Sequence, residues 1–258
     1  MVSIPWVPSI NVNVVNIRVR PRVDGVNIAM LSSGCMPANR NAARKPRRPY
    51  HHGNLRRALL DEALATIRAD GVDALTLRSI GERLGVSRTA LYRHFADKAA
   101  LLTAVATEGF RALHERLVAA WEEGGRGDAA FSAMGVAYVH FAVANPSHYR
   151  VMFGGFVERE PRDPELTVEA EGAFKALVGA LAALQRAGVM RSGDDTLLMA
   201  RHVWALVHGI AMLAVDGQLR EPGAVETLMR YAFERLRSGI ATDARSQPAP
   251  GDNSLSPA

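Results

Sequence analysis

The chain has 258 residues, 48% of them hydrophobic, with 31 Lys and Arg against 26 Asp and Glu; it is long enough for one large or two modest domains and too apolar for global disorder. The net charge of +5 is unevenly placed, because residues 1–57 hold ten Lys or Arg against Asp24 alone. A polyanionic partner is expected at that end, with a solubilising tail as the plain alternative. The single cysteine, Cys35, excludes an internal disulfide and a CxxC metal site and suits a reducing cytosol.

Residues 1–43 have no helical period and are expected to be a disordered extension; VNVVNIRVR alternates weakly but finds no second strand pattern to pair with. The opening residues do not read as a secretory signal, since Pro5, Pro8 and repeated Asn interrupt the apolar run. Residues 44–51 form a basic, proline-bearing arm with Arg44, Lys45, Arg47 and Arg48. From His52 a 3.6-residue period begins, with Leu55, Leu59, Ala63 and Ile67 on one face and Gly71 as the stop. After the two short helices treated next, Asp97 caps a long helix with Leu102, Val105, Leu113, Leu117 and Trp121 on one stripe, ending at Gly124–Gly127. A nearly all-apolar helix spans Asp128 to Ala144 and stops at Asn145-Pro146, followed by a short helical piece at His148–Phe153 and a break at Pro161–Pro164. Further helices are expected at Glu165–Ala187, Asp194–Val215 and from Pro222 or Gly223 to Arg237, the last with Val225, Leu228, Met229, Ala232 and Leu236 on a stripe. Residues 238–258 are Pro-, Ser- and Ala-rich and read as a disordered tail. The count is about nine helices and no strand.

Leu75 to Leu102, LTLRSIGERLGVSRTALYRHFADKAALL, is the most informative stretch. Thr76 and Ser87 are N-cap residue types. Each is flanked by an apolar pair at staple spacing, Leu75 with Ile80 and Val86 with Leu91. Leu77, Ile80 and Leu84 share a face of the first helix, Leu91 and Phe95 a face of the second, and Gly85 falls where the chain must turn. Arg88, Thr89, Tyr92, Arg93 and His94 are left on the outside of the second helix, a cationic, hydrogen-bonding face. That is the pattern of a helix-turn-helix whose second helix enters the DNA major groove. The first turn faces the bases, so Arg88, Thr89 and Ala90 are candidates for sequence readout: Arg pairs with guanine, Thr donates or accepts, and Ala permits close approach. Thr76, Arg78 and Ser87 are candidate phosphate contacts; capping alone also accounts for Thr76 and Ser87.

The same residues carry a resemblance. GVDALTLRSIGERLGVSRTALYRHFADKAALL, and above all V-S-R-x-x-L-Y-R-H-F-x-x-K-x-x-L from Val86 to Leu101, resembles the DNA-binding domain of the TetR family of bacterial transcriptional regulators. The resemblance covers residues 52–110, with the helix-turn-helix at 76–95, and implies phosphate contacts for Tyr92, His94 and Lys98. For Tyr92, packing against the first helix is the alternative. FAVANPSHYRVMF (Phe141–Phe153) and WALVHG (Trp204–Gly209) are similar to the effector and dimerisation domain of the subgroup named for its Trp, His and Gly. Met30 or Met36 would begin a chain of ordinary layout for this family.

The helix at Asp194–Val215 is apolar nearly all round, so it must be covered on two sides. Arg201, His202 and His208 within it argue against a membrane span. A partner subunit is one cover, and the family resemblance implies a four-helix bundle made by this helix, the last helix and their copies; a fully internal helix is the alternative. Val207 and Leu228 are taken as partner-facing positions. Tyr138, Phe141, Phe153, Phe174, Trp204 and His208 are candidates to line an effector cavity, against the plain reading of aromatic core and a satisfied buried histidine. No HExxH, nucleophile elbow or P-loop is present, so no catalytic residue, metal or cofactor is expected.

The expected molecule is all-α: an N-terminal three-helix DNA-binding domain with a helix-turn-helix, then an α-helical ligand-binding and dimerisation domain over residues 111–237. It reads as a cytoplasmic homodimer, a ligand-responsive repressor released from a palindromic operator in double-stranded DNA by a largely apolar small molecule. The rivals are an activator or ligand-independent regulator with the same reading head, and a helical enzyme or binding module with a vestigial helix-turn-helix.

Overall fold

Capping and staple residues set the first helices. The computed structural model describes residues 55–157 and 163–240, beginning with α1 (Leu55–Asp70), α2 (Leu77–Leu84) and α3 (Arg88–Tyr92). Thr76 Oγ1 accepts from Ser79 N at 3.1 Å and Ser87 Oγ accepts from Ala90 N at 3.2 Å, so both predicted caps form. Gly85 closes α2 at φ 67°, a left-handed conformation that favours glycine. Leu75, Ile80, Leu91 and Phe95 are all buried with Leu59, Leu60, Ala63 and Ile67 of α1, which packs the two short helices onto the first. Leu84 is only half-buried; Gly81 takes its place on the inner face.

Six longer or connecting helices follow: α4 (Lys98–Glu123), α5 (Asp128–Ala144), α6 (Pro146–Phe153), α7 (Pro164–Arg186), α8 (Thr196–Val215) and α9 (Ala224–Ile240). No β-strand occurs among the described residues. Asp97 caps α4 through a 2.8 Å bond from Ala100 N, and α4 then runs unbroken past two separate cores. Its Leu101, Leu102, Val105 and Ala106 belong to the core around α1–α3, while Leu113 and Leu117 belong to the larger core of α5, α7, α8 and α9. The α1–α3 core also takes Val151 of α6 and Leu166 of α7, so it is completed by residues far along the chain.

Several boundaries differ from the sequence reading by one to three residues, α8 for instance beginning at Thr196 after its Asp195 cap, and two of them have a clear physical cause. The short helix begins at Pro146 rather than His148, because proline at the first helical position needs no N–H partner and its φ suits the turn. The last helix continues beyond Arg237 to Ile240, which is buried and whose carbonyl accepts from Arg191 N at 3.1 Å. The extension at 1–43, the arm at 44–51 and residues 241–258 of the expected tail lie outside the described residues.

Helix α8 corrects a further expectation. It is long and apolar enough to cross a membrane by length and composition, but Met199, Ala200, Val203, Val207, Ile210 and Ala211 are buried in the helical core. Val207 is 4% exposed and faces its own core, and Leu228 is packed against the same core. The outward stripe is instead Leu198 (65% exposed), His202, Ala205, Gly209 and Leu213 (44% exposed).

Helices α4 and α6 meet at Gly109, where a Cβ would lie 2.5 Å from Met152 Sδ and 3.2 Å from His148 Cβ. The thioether can swing aside; His148 Cβ is fixed to backbone. Gly109→Val gains little helix propensity, so overpacking decides the sign. It should destabilise the protein by about 1–3 kcal/mol, read from urea denaturation, with α4 and α6 losing hydrogen-exchange protection.

Candidate DNA-reading face and effector site

The caps and the buried pair Leu91 and Phe95 leave the rest of α3 facing outward. Thr76, Arg78, Ser87, Arg88, Thr89 and His94 are exposed, Ala90 is half-buried, and Tyr92 is exposed with Arg88 Cζ 5.9 Å from its ring centroid. Tyr92 thus stands on the surface and does not pack under α2. Ser87 Oγ uses an acceptor position for its cap and keeps its hydrogen for an outside acceptor. Thr76 Oγ1 also bonds Ser79 Oγ at 3.0 Å. Arg78 lies beside Glu82, 2.8 Å away, and that ion pair raises the guanidinium's affinity for its proton. Lys98 is placed differently: its Nζ donates to Val72 O at 2.8 Å, tying the α1–α2 loop to the start of α4.

The second cluster lies in the larger core, where α5, α6, α7 and α8 converge. Tyr138 Oη lies 3.1 Å from Tyr149 Oη, and Trp204 Nε1 donates to Tyr138 Oη at 3.2 Å. His208 Nδ1 is 2.7 Å from Tyr149 Oη and 3.1 Å from Tyr138 Oη. Phe153 packs on Tyr149, His208 and Trp204 with centroids 4.8, 4.7 and 6.4 Å apart. Phe174 meets Trp204 edge-on at 5.9 Å and Phe110 meets Phe153 at 5.3 Å. Five of the six expected residues are therefore brought together. Phe141 is buried in the same core but sits under Arg116, whose Cζ is 5.5 Å from its ring. A separate cleft of about 210 Å³ opens beside His94, Arg56, Glu108, Arg111 and Glu165, with a charged lining unlike the aromatic cluster. No group of three His, Cys, Asp or Glu suited to a metal occurs among the described residues.

Residues 59–105 match the family model for bacterial regulatory proteins of the tetR family, and residues 131–236 match that for the tetracyclin repressor-like C-terminal domain. Together these span more than half of the sequence. The chain belongs to the TetR family. An uncharacterised HTH-type transcriptional regulator of Mycobacterium tuberculosis is 26% identical over 190 residues, covering 72% of this chain and 81% of the relative. The class A tetracycline repressor protein from transposon 1721 of Escherichia coli is 54% identical over 44 residues, only 17% of this chain and 20% of the repressor. Among solved structures, a protein of unknown function from Rhodococcus sp. RHA1 superposes with a TM-score of 0.66 at 35% identity, covering 76% of this chain and all (100%) of that one. This TetR family member is accordingly a ligand-responsive, DNA-binding transcriptional regulator.

Tyr149 and Phe110 complete the aromatic cluster and are not among the sequence candidates. Tyr149 lies on a helix of eight residues, too short for periodicity to assign its face. Phe110 is hidden within the apolar stripe of α4.

Burial dominates the chemistry of the cluster. It raises Tyr149 far above the ordinary phenol range and Tyr138 to about 12, and it lowers His208 to about 4. The fold therefore keeps His208 neutral where the unfolded chain, with a histidine pKa of about 6.5, would bind a proton. Its contribution to stability is full above pH about 6.5 and is lost as pH falls toward about 4. His148, also lowered mainly by burial, acts in the same sense. His208→Asn, which keeps an acceptor for Tyr149, should flatten part of this decline; urea denaturation at stepped pH reads the change, and an unchanged slope would count against a buried neutral His208.

Proposed function

We propose that this TetR family member is a homodimeric repressor that grips a palindromic operator through α3 and is released by a small molecule bound in the C-terminal half. The observation that carries the reading is the outer face of α3, whose polar and cationic side chains are exposed while its only buried side chain, Leu91, anchors it to α1 and α2. Residues 52–110 are assigned to DNA binding and 111–237 to effector binding and dimerisation. Within the first, Arg88, Thr89 and Ala90 read base edges, and Thr76, Arg78, Ser87, Tyr92 and His94 contact phosphate. Lys98 acts mainly by holding the α1–α2 loop, although an ammonium with three hydrogens retains capacity for phosphate. The basic arm at 44–51 adds phosphate contacts. Tyr138, Phe153, Phe174, Trp204 and His208 belong to the effector site; no catalytic role is assigned to any residue, and the protein acts in the cytoplasm.

Dimerisation is supported by the outward stripe of α8. Leu198, Ala205, Gly209 and Leu213 lie on one face, and Tyr231 of α9 is also exposed. A Cβ at Gly209 would meet nothing within 4 Å. Glycine inside a helix costs about 0.8–1.0 kcal/mol against alanine, and nothing among the described residues requires it. Close approach of a partner helix supplies the reason.

Selection from random duplexes should return a palindrome with half-sites about 34–36 Å apart. Arg88→Ala and Thr89→Ala should each change the preferred base at one position, at about 1–3 kcal/mol. Arg78→Ala should weaken all sequences alike and lower the salt slope by about one unit, for the one phosphate that the guanidinium no longer neutralises. A selected motif unchanged by Arg88→Ala would remove the base-reading role.

Leu213→Asp should place an unpaired carboxylate in the dimer interface and yield a folded monomer by sedimentation, with no measurable operator binding. Val207→Asp should instead reduce helical circular dichroism, because that carboxylate enters the protein's own core. A wild-type dimer from Leu213→Asp would put the interface elsewhere.

A further inference from the structure

The hydrogen-bond circuit around His208 has a free end. Its donors and acceptors can be counted. Both phenols are buried, so each hydroxyl hydrogen needs an acceptor within the cluster. Trp204 Nε1 donates to Tyr138, so both phenol hydrogens are placed only if one phenol donates to the other and the second donates to His208 Nδ1, to which Tyr149 is nearer at 2.7 Å. A hydrogen on Nδ1 would leave one phenol hydrogen without an acceptor. The neutral imidazole therefore carries its proton on Nε2. Among the described residues that proton has no acceptor, and Nε2 is not one of the sealed orphan atoms.

One of the sealed orphans is Arg201 Nε, on the same helix. Arg201, Trp204 and His208 stand at i, i+3 and i+7 and so share one flank of α8, between its buried face and its outward stripe. Arg201 is half-buried and has no hydrogen bond or ion pair among the described residues. A half-buried guanidinium without an anion is costly to keep. The other cations near the cluster are already engaged: Arg150 donates to Val215 O at 2.8 Å, and Arg116 lies over Phe141. The half-buried rings of Trp204, Phe153 and Phe174 lie along the flank.

We propose that the effector is an elongated, largely apolar carboxylic acid, held at its carboxylate by Arg201, along its body by Trp204, Phe153 and Phe174, and at a neutral acceptor oxygen by the Nε2–H of His208. The two anchors are seven residues, about 10.5 Å, apart along the helix axis. With Nε of Arg201 sealed, its two terminal Nη groups give the carboxylate a planar pair of donors. His208, with Nδ1 already committed to Tyr149, gives the oxygen one donor of fixed direction. This assignment rests on reading the protein as ligand-responsive and adds the chemical class of the ligand.

The test uses the full-length protein and three probes of increasing length: 4-acetylbenzoate, 6-acetyl-2-naphthoate and 4′-acetylbiphenyl-4-carboxylate. Each is paired with its methyl ester, which lacks the charge, and with its ethyl analogue, which lacks the ketone. Histidine ¹⁵N NMR should show His208 as the Nε2–H tautomer, and at least one ketoacid should move that resonance. Its affinity by titration calorimetry should exceed that of its ester and of its ethyl analogue by about tenfold each, the size of one missing charge-assisted or neutral hydrogen bond. Arg201→Met should erase the acid-over-ester preference, and His208→Phe the ketone-over-ethyl preference, with helical content retained. The proposal is overturned if no ketoacid moves His208, if ester and acid bind alike, or if Arg201→Met produces monomer while leaving acid binding intact, which would pair Arg201 with the partner subunit. Operator binding, measured in parallel, separates this proposal from the broader reading. Acid binding without DNA release retains the site and removes its regulatory role; DNA release by other compounds that leave His208 untouched does the reverse.

Discussion

Tyr149 and Val151 stand two residues apart on an eight-residue helix and are buried in different cores. That constraint organises the molecule. A helix of two turns has no stability of its own in water, so α6 exists because both cores hold it. On one side Tyr149 bonds His208 and Tyr138; on the other Val151 fills the α1–α3 core and Ser147 Oγ donates to Leu64 O at 3.3 Å. Glu108 of α4, whose carboxylate lies 3.4 Å from His148 Nε2 of α6, accepts from Arg57 of α1 at 2.8 Å and so ties α4 to α1. Tyr149 is thus joined to α1 through the two turns of α6 alone, by Val151 in the α1–α3 core and by the Ser147 bond to Leu64.

The reading helix depends on the same arrangement. Five residues of α3 cannot persist alone, and their single buried anchor, Leu91, is held between α1 and α2. Arg83 of α2 reaches Glu62 and Thr66 of α1 at 3.2 Å each, while Arg57 joins α1 to α4. The side chains proposed to face the bases are thus positioned by polar ties at the rim and apolar packing beneath, without any of them being used for support. Exposure of Arg88 and Thr89 follows from that division of labour.

Much of this is legible in the sequence because the signals are local. Caps, staples and a turn glycine act within a few residues, so Thr76, Ser87, Gly85 and Asp97 disclose their roles directly. Amphipathic helices declare a buried face through their period, as α9 does. Helix α8 does not, because an apolar residue on every side gives no asymmetry to read; Val207 reads as outward for that reason, and the structure turns it inward. Periodicity is equally silent over the two turns of α6, which hides Tyr149. Phe141 and Tyr138 lie three residues apart on an almost uniformly apolar helix, and only tertiary packing separates the ring under Arg116 from the phenol beside His208. Lys98 shows another limit: a lysine at a helix start reads as a surface charge until the loop carbonyl it reaches is known.

Helix α8 then divides into three longitudinal flanks with different demands. Met199, Val203, Val207 and Ile210 satisfy the protein's own core. Leu198, Ala205, Gly209 and Leu213, with His202 among them, are open, and all but that histidine are small or apolar, as a partner helix requires. Between them lie Arg201, Trp204 and His208, the only flank that mixes ring, donor and charge. A mostly apolar composition in sequence thus conceals three chemically distinct surfaces, set about a third of a turn apart. Any occupant of the mixed flank touches a helix whose neighbouring flanks hold the core and, in the proposed dimer, the partner subunit. Through Tyr149 the same flank reaches α6 and the α1–α3 core. The position of His208, where those demands meet, gives a physical reason for a polar, neutral and directionally fixed side chain in the middle of so apolar a helix.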